Sequence, residues 1–362
     1  MASGRGGRGR EEEAERAMSG RKMKIAVLLG GDSPERDVSI ASAAGVMEAL
    51  RNRGHEVRAV DPALPDGIQR DPAAGGIGEK PPEAIEKIHG RRAFEWLTCD
   101  AISGADVVFI ALHGGSGEDG TVQALLEAAG AVYTGTGILG SALAMNKDRA
   151  KALFREAGVQ TAPHILVRRP EGGDLRRVAG ETAKGPGFPA VVKPNCQGSS
   201  VGFSFVPDPS KLGEALELGF RFGEELMIER FVPGREMTVA VLDGAALPVV
   251  EIIPAGGFYD YRSKYTKGSS RYEAPAAIPG EWAERLKREA LRACDALSCR
   301  DYARVDFRVN EGGEPFCLEV NTLPGMTKLS LVPMAAAEAG ISFGDLVERI
   351  CFMALERGRK GE

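Results

Sequence analysis

Residues 302–321 read YARVDFRVNEGGEPFCLEVN and have the pattern of a β-hairpin. Each half has the apolar and β-branched content of a strand, and Gly312-Gly313 supplies a turn between the halves. The stretch therefore predicts two antiparallel strands that lie side by side and are joined by a short loop.

Polar side chains recur at every second position in both strands of this hairpin. Because successive side chains of a strand point to opposite faces, Arg304 and Asp306 should share one face, and so should Glu319 and Asn321. The apolar face of the second strand would carry Phe316, Leu318 and Val320. A sheet with one wet face explains any one of the polar residues, but four of them beside strongly apolar neighbours indicate a site.

Two carboxylates and an amide oxygen on neighbouring strands suit a hard cation. Mg²⁺ binds a few carboxylates and completes its coordination with substrate phosphates and water. Asp306, Glu319 and Asn321 are the predicted ligands, and Arg304 could bind the phosphate oxygens that the cation leaves free.

A Gly/Ser-rich loop, NCQGSSVG at 195–202, follows Lys193 at the end of an apolar strand. Glycines allow close approach of the backbone, and N–H and hydroxyl groups can donate to phosphate. A flexible hairpin with a solvated lysine explains the same pattern, and the residues alone leave both interpretations open. The loop lacks the GK[ST] ending of a Walker A motif, and LLGGDSPER at 28–36 does not match GxGxxG.

The amino-terminal part alternates between strand and helix patterns. KIAVLLGG at 24–31 predicts a buried strand, an apolar helical period runs on to Gly54, and HEVRAVD at 55–61 predicts a second strand. This order is typical of a parallel α/β unit. Residues 61–92 are rich in Pro and Gly and predict a loop. A further strand, DVVFIALHGG, precedes the end of this domain near residue 143.

The remainder of the chain predicts a mixture of helices and antiparallel strands. LMIERFV predicts a short strand, and an Asp243-Gly244 turn between two apolar strands predicts a hairpin. The other predicted elements are a helix over 141–157, an ordered loop over 255–275, a helix over 281–297 and a helical carboxyl end over 331–357.

Composition limits the classes of function. The chain has 362 residues, of which 43% are hydrophobic and 27% charged, which is a globular composition long enough for two or three domains. A formal net charge of −5 argues against a non-specific nucleic-acid binder. No apolar run approaches the roughly 20 residues of a membrane-spanning helix. We therefore expect neither a nucleic-acid nor a membrane partner.

Residues 1–22 are rich in Gly, Arg and Glu and predict a disordered leader, or sequence upstream of a start at Met23. They lack the apolar core of a secretory signal. The six cysteines form no CxxC pair, so we expect reduced thiols and a cytoplasmic location.

Several stretches, in order along the chain, resemble the D-alanine–D-alanine ligase family of the ATP-grasp superfamily. They are LLGGDSPERDVS, ALHGGSGEDGTVQ, YTGTG, SALAMNKDRAK, VKPNCQGSSVG, FYDYRSKY, ARVDF and EVNTLPGMTKLSLVPMAA. The resemblance implies an α/β and α+β chain with the ATP-grasp fold. Its expected parts are a Rossmann-like, substrate-binding domain over 23–143, a central subdomain over 144–233, and a carboxyl-terminal subdomain over 234–362 with a lid loop at 255–275.

The resemblance also implies the reaction. Two D-alanines would be joined at the expense of ATP through a D-alanyl phosphate, releasing ADP and phosphate, for the synthesis of a peptidoglycan precursor. Two Mg²⁺ ions would accompany ATP, and Mn²⁺ is left open as a replacement. Such catalysis depends on alignment and charge neutralisation more than on a protein nucleophile.

Carried over to matching positions, the family pattern gives a nucleotide site. Asp306, Glu319 and Asn321 would hold the two Mg²⁺ ions. The residues implied at the phosphates are Lys147, Lys193, Ser199, Ser200 and Lys264. Those implied at the adenosine are Glu229, the backbone of Arg230, Phe231 and Val232, and Glu236 at the ribose.

The same pattern gives the amino-acid sites. Glu35 would bind the first ammonium group and form a hydrogen-bonded group with Ser199 and Tyr265 as the site closes, although a carboxylate at this place can instead cap the following helix. His113 would lie near the first D-alanine. The residues implied at the oxyanion and the second D-alanine are Arg304, the N–H of Gly325, Lys264 and Ser330.

Two alternatives of different class stay open. A related ligase would make D-alanyl-D-lactate or D-alanyl-D-serine, against which Tyr265 in the lid motif argues. A catalytically dead ATP-binding regulator is the other, and the presence of every expected metal ligand and phosphate lysine argues against it. The resemblance also implies a homodimer.

Overall fold

The computed structural model describes residues 21–64, 90–171, 175–182, 185–256, 268–328 and 330–360. All but two residues of the predicted leader, and most of the predicted 61–92 loop, lie outside these ranges. Among the helices of the described ranges, none combines the length and the apolar character that crossing a membrane requires.

The amino-terminal sheet is parallel, as predicted. Its strands are β1 (Lys24–Leu28), β2 (Glu56–Val60) and β3 (Val107–Ile110), in the order β2-β1-β3. The helices of this part are α1 (Arg36–Asn52), α2 (Asp100–Ser103) and α3 (Thr121–Ala128), with a 3₁₀ turn over Gly90–Thr98. Helix α1 buries Val46, Met47 and Leu50. Gly54 follows its end at φ +88, which is the left-handed conformation predicted for the helix stop.

The single helix predicted over 141–157 is wrong. The structure has α4 (Ile138–Met145) and α5 (Lys147–Glu156), separated by Asn146 in an extended conformation. The side chain of Asn146 accepts a hydrogen bond from the N–H of Arg149 at 3.1 Å, so it caps α5. The break makes Lys147 the first residue of a helix that faces the cleft described below.

A four-stranded antiparallel sheet forms the central part. Its strands are β4 (His164–Arg168), β5 (Ala190–Pro194), β6 (Ser204–Val206) and β7 (Glu225–Arg230), in the order β4-β7-β5-β6. Two helices, α6 (Leu175–Thr182) and α7 (Leu212–Gly219), share an apolar cluster with this sheet.

The large sheet is also antiparallel. Its strands are β8 (Arg235–Leu242), β9 (Ala245–Ala246), β10 (Val250–Pro254), β11 (Ser270–Glu273), β12 (Tyr302–Val309) and β13 (Pro315–Asn321). The order is β11-β10-β8-β12-β13, and β9 pairs with β8 across the predicted Asp243-Gly244 turn. Helix α8 (Gly280–Ala296) covers one face together with α5. Residues 270–273, predicted within a loop, instead pair with β10.

The predicted face of β13 needs a correction. The antiparallel register pairs Asp306 with Glu319 but Phe307 with Cys317, so a β-bulge at Leu318 interrupts the alternation. The buried face carries Cys317 and Val320, whereas Phe316 and Leu318 are half-buried. The expected apolar set was wrong because one extra residue in a strand changes which face the following side chains occupy.

The predicted helical carboxyl end is confirmed as α9 (Leu331–Glu338) and α10 (Phe343–Lys360). Both helices contribute to the apolar cluster of the amino-terminal sheet. At the surface, Arg53 forms ion pairs of 2.7 Å with Asp345 and Glu348. The chain therefore returns to its first domain, which fixes the large sheet beside that domain.

Candidate active site

A cleft of about 920 Å³ lies between the four-stranded sheet and the large sheet and is open to solvent. Both sheets and the Gly/Ser loop contribute to its walls. The predicted site residues that line it are Lys147, Lys193, Ser200, Glu229, Arg230, Phe231, Val232, Glu236, Asp306 and Glu319. The cleft thus unites predictions made from five separate stretches of sequence.

Two carboxylates lie side by side at one end of the cleft. Asp306 and Glu319 are register partners on β12 and β13. The guanidinium of Arg304 donates to both oxygens of Asp306, at 2.8 and 2.7 Å, and Thr238 Oγ1 donates to Asp306 Oδ1 at 2.7 Å. The Nζ of Lys147 lies 3.2 Å from Glu319 Oε2. Each acid therefore has a cation beside it, as two adjacent carboxylates require.

These residues fit Mg²⁺. Asn321 is the register partner of Arg304, two residue pairs along the ladder from the acids, and its Oδ1 accepts from the N–H of Leu323 at 3.0 Å. Two carboxylates and an amide oxygen on one rigid hairpin are the hard donors that Mg²⁺ prefers. In the described part of the chain no group of three His, Cys, Asp or Glu residues forms a metal site.

Glu229 binds two lysines beneath the cleft. Its carboxylate lies 2.9 Å from Lys193 Nζ and 2.5 Å from Lys151 Nζ. Burial alone would raise the pKa of Glu229, but the two ammonium groups outweigh burial and lower it to about 2. Burial alone would lower the pKa of Lys193, but the carboxylates of Glu229 and Glu319 outweigh burial and raise it. The adenine contact predicted for Glu229 stays a prediction, with its side chain only 2% exposed.

Lys151 is a site residue that sequence reasoning missed. It is fully buried and also donates to Thr161 Oγ1 at 2.6 Å and to the carbonyl oxygen of Cys317 at 3.1 Å. Burial lowers its pKa, and Glu229 only partly offsets that effect. A signal was available, because the buried positions of α5 are Lys147, Ala150, Lys151 and Phe154, a helical stripe that places both lysines inward.

The Gly/Ser loop is attached to the amino-terminal domain through Glu35. The hydroxyl of Ser199 donates a hydrogen bond to Glu35 Oε1. Glu35 is buried and lies at the N-cap of α1, but its side chain makes no capping hydrogen bond. The capping alternative therefore does not hold, and the predicted Glu35–Ser199 contact is present.

The backbone of this loop has an unusual conformation. Ser199 and Ser200 both have positive φ, +47 and +57, a conformation that costs a non-glycine residue free energy and is common at functional sites. A Cβ at Gly198 would lie 2.7 Å from Glu35 Oε2, so a glycine is needed there for the acid to fit. Lys147 Nζ donates to the carbonyl oxygen of Gln197 at 2.7 Å, which holds the start of the loop.

His113 is buried and joins the amino-terminal domain to the segment after β13. Its Nε2 lies 3.1 Å from Ser42 Oγ, which accepts from the N–H of Met326 at 3.3 Å. Its Nδ1 lies 3.6 Å from Glu118. These contacts place His113 close to the predicted oxyanion and second-substrate residues.

Gly325 and Ser330 are brought together by a tight turn. A Cβ at Gly325 would lie 3.0 Å from Ser330 Oγ. Ser330 Oγ accepts from the N–H of Thr327 at 3.0 Å and lies 2.8 Å from Thr327 Oγ1. The turn thus presents a backbone N–H and a hydroxyl beside Met326.

The opposite end of the cleft is formed by the segment that connects the two sheets. Arg230 donates its N–H to the carbonyl oxygen of Pro163, and Phe231 donates to that of Pro189, both at 2.9 Å. Proline has no N–H with which to return either bond. Neither proline therefore donates a return hydrogen bond to the linker backbone at Arg230 or Phe231.

Two predicted site residues, Lys264 and Tyr265, lie outside the described residues, as does most of the predicted lid. Of the residues carried over from the family pattern, the others lie in the cleft or between the cleft and the amino-terminal domain.

Two family models together match most of the chain. A family model described as the D-ala D-ala ligase N-terminus matches residues 24–136, and one described as the D-ala D-ala ligase C-terminus matches residues 153–351. The chain is 46% identical to a D-alanine--D-alanine ligase of Geobacter sulfurreducens, covering 94% of this chain and 96% of that protein. A D-alanine--D-alanine ligase of Halalkalibacterium halodurans is 39% identical, covering 92% and 100%.

Solved structures resemble the whole chain. A D-alanine--D-alanine ligase of Bacillus anthracis complexed with ATP is 31% identical with a TM-score of 0.73, covering 94% of this chain and 100% of that one. The VanG D-Ala:D-Ser ligase of Enterococcus faecalis is 30% identical with the same TM-score, covering 92% and 100%.

Proposed function

The chain belongs to the D-alanine–D-alanine ligase family, and from that premise we propose which of its residues carry out the ligation. It is an ADP-forming ligase with the ATP-grasp fold that joins two D-alanines in peptidoglycan precursor synthesis, using ATP with Mg²⁺. The observation that carries the residue assignments is the attachment of the phosphate loop to Glu35 across the cleft.

ATP lies along the cleft with its phosphates at the end that carries both lysines. Lys147 and Lys193 contact the α- and β-phosphates, and the backbone and hydroxyls of Ser199 and Ser200 cover the γ-phosphate. Support comes from the position of both lysines in the cleft wall and from the positive φ of both serines, which turns successive N–H groups towards one side.

The adenosine lies at the linker between the sheets. The backbone of Arg230, Phe231 and Val232 meets the adenine edge, and Glu236 accepts from the ribose hydroxyls. Glu229 holds Lys193 and closes the floor, and its contact with the adenine amine is part of the proposal.

Asp306, Glu319 and Asn321 would hold Mg²⁺. Mg²⁺ held by these residues would supply positive charge that offsets the charge of the phosphates. Arg304 and Lys147, which neutralise the same acids in the structure, are then available to the phosphates.

The first D-alanine binds between Glu35 and His113. Glu35 accepts from its ammonium group, which leaves the carboxylate of the amino acid facing the γ-phosphate. Attack by that carboxylate forms the O–P bond of D-alanyl phosphate and breaks the bond to the β-phosphate oxygen, so ADP is released.

The second D-alanine binds with its carboxylate at Ser330 and Lys264. Its amine attacks the acyl carbon, and the negative charge that develops on the carbonyl oxygen is stabilised by Arg304 and the N–H of Gly325. One such donor is worth about 3 to 4 kcal/mol. Collapse of the tetrahedral intermediate expels phosphate and leaves the dipeptide.

Further parts of the proposal concern assembly and location. We propose the three-part division 23–143, 144–233 and 234–362, supported by the separate apolar cluster of the central sheet. The lid at 255–275, with Tyr265, excludes water from the acyl phosphate.

The protein is a homodimer, supported by family likeness and tested by light scattering. It is cytoplasmic, supported by its use of ATP and by the free thiols of its six cysteines.

Product analysis tests the activity. The protein is incubated with Mg²⁺, ATP and D-alanine, alone and with D-serine or D-lactate, and the products are separated by mass. We expect D-alanyl-D-alanine as the main product and ADP release that requires D-alanine. A main product of D-alanyl-D-serine or the D-lactate ester would overturn the amino-acid assignment, and ADP release independent of D-alanine would overturn the ligase mechanism.

A further inference from the structure

Arg308 lies at the adenosine end of the cleft, and neither the family pattern nor the reaction accounts for it. It is on β12, two residues after Asp306, and its register partner on β8 is Glu236. The side chain is 11% exposed. A guanidinium in such a place needs partners, because burying a charge without them is costly.

All three guanidinium nitrogens have partners. The Nε donates to the carbonyl oxygen of Val232 at 3.1 Å, and Nη2 donates to that of Gly234 at 2.8 Å. The Nη1 lies 3.4 Å from Glu236 Oε2. The guanidinium carbon also lies 5.0 Å from the centre of the Phe231 ring, within the range of a cation–π interaction.

These partners are the linker between the two sheets and the acid beyond it. Residues 231–234 connect the end of β7 to the start of β8. On the side of the central sheet, the Phe231 ring meets Phe205 of β6 edge to face, with centres 5.2 Å apart. Arg308 therefore holds the linker against the large sheet, while the other face of the linker contacts the central sheet.

We propose that Arg308 is a positioning residue for the nucleoside, which sets the linker backbone at 231–234 and orients the carboxylate of Glu236 towards the ribose. This inference rests on the proposed function, which places adenosine at the linker. Arginine suits the task better than lysine, because its planar fork serves two carbonyls and a carboxylate in fixed directions.

Electrostatics agree with this role. Burial lowers the pKa of Arg308, and Glu236 offsets part of that effect, yet an arginine remains charged at any physiological pH. The positive charge beside Glu236 is therefore constant, and the contact with Arg308 favours one orientation of the Glu236 carboxylate. A preoriented carboxylate costs less to order when the nucleotide binds.

Steady-state kinetics of Arg308→Met and Arg308→Lys, with ATP and 2′-deoxyATP, test the proposal. We expect Arg308→Met to raise KM for ATP about tenfold, the size of one charge-assisted hydrogen bond, with kcat and KM for D-alanine within about twofold. The preference for ATP over 2′-deoxyATP should shrink towards unity. Arg308→Lys should recover only part of the affinity, because an ammonium cannot span both carbonyls.

Arg235→Met is the matched control. Arg235 lies on the same sheet and donates to Glu251, at 2.7 and 2.5 Å, and to the carbonyl oxygen of Ala277 at 3.1 Å, but it does not line the cleft. We expect this variant to keep the wild-type KM and ribose preference.

Two results would overturn the proposal. One is an unchanged ratio of kcat/KM for ATP and 2′-deoxyATP in Arg308→Met. The other is an equal loss in Arg235→Met, which would indicate a general weakening of the sheet. A wild-type protein without D-alanine-dependent ADP release would instead contradict the proposed function itself.

Discussion

The hydroxyl of Ser199 donates a hydrogen bond to the carboxylate of Glu35, which joins the Gly/Ser loop to the amino-terminal domain across the cleft. Because the loop covers the proposed γ-phosphate position, this bond should matter to the closed, reacting state. We expect Ser199→Ala and Glu35→Gln each to lower kcat about 10- to 100-fold, the range for a hydrogen bond to a charged group.

The double variant and a control complete that test. If the two side chains act as a unit, Ser199→Ala/Glu35→Gln should cost little more than the worse single change. Ser210→Ala, which removes a 2.6 Å bond to Asp208 on the surface, should leave kcat unchanged. Additive losses in the double variant would contradict a shared role.

Glu319→Gln should change the Mg²⁺ requirement more than the stability of the metal-free protein. Removing one of two adjacent carboxylates relieves their repulsion but also removes the ion pair with Lys147 Nζ, so the two effects on metal-free stability oppose each other and the net change should be small. It should require several-fold more Mg²⁺ for half-maximal activity, because a carboxylate ligand is lost. Thermal unfolding in EDTA and a Mg²⁺ titration at fixed ATP measure the two effects. An unchanged Mg²⁺ requirement would remove Glu319 from the ligand set.

Lys151→Met should move acid unfolding to higher pH. The folded-state pKa of Glu229, about 2, is below its ordinary 4.5, so its stabilisation is present above about pH 4.5 and is lost as pH falls towards 2. Without Lys151 only one cation remains and the pKa of Glu229 rises towards its ordinary value, so this carboxyl loses less stability on acidification. Acid unfolding still moves to higher pH, because the variant starts from a lower free energy of unfolding. At neutral pH the variant should lose about 3–5 kcal/mol of unfolding free energy, as for a broken buried ion pair.

Denaturant unfolding from pH 2 to 7 measures both quantities. Lys287→Met is the control, since Lys287 forms only a surface pair of 3.0 Å with Glu284 and should change stability by less than about 1 kcal/mol. If Lys151→Met and wild type share one acid midpoint, the Lys151–Glu229 coupling is not what sets the acid limit.

Gly234→Ala should be strongly destabilising, whereas Gly244→Ala should be mild. Both glycines have positive φ, +128 and +69. A Cβ at Gly234 would collide with the carbonyl oxygen of Val309, but a Cβ at Gly244 meets no atom within 4 Å. We expect a loss of roughly 1 kcal/mol at Gly244 and several times that at Gly234, measured by denaturant unfolding. Equal losses would show that φ alone sets the cost.

The hairpin of 302–321 shows what sequence can predict. Alternation in two strands and a Gly-Gly turn suffice to bring Asp306 and Glu319 together, and the structure has them as register partners. The bulge beside them leaves no mark in composition, because Leu318 suits either face. The apolar face was therefore mispredicted, whereas the polar face was not.

Buried charge was the other gap. Charged side chains are usually solvated, so Lys151 and Arg308 were passed over, although Arg308 lines the cleft and Lys151 pairs with Glu229 beneath it. Lys151 belongs to a helical stripe of inward positions that the sequence shows. No sequence pattern marks Arg308, since its carbonyl partners are 74 and 76 positions away. Asn146 followed by Lys and Asp carried the signal of a helix start, and the single-helix interpretation ignored it.

The bulge in β13 also changes which side chains of the strand reach the cleft. In a regular strand, side chains on one face are about 6.6 Å apart along the chain. The extra residue lets consecutive side chains, Leu318 and Glu319, reach the same cleft. An apolar and an acidic side chain that line the same cleft then differ by a single peptide unit. A one-residue deletion at this point would therefore restore an ideal strand and place only one of two consecutive side chains on the cleft side.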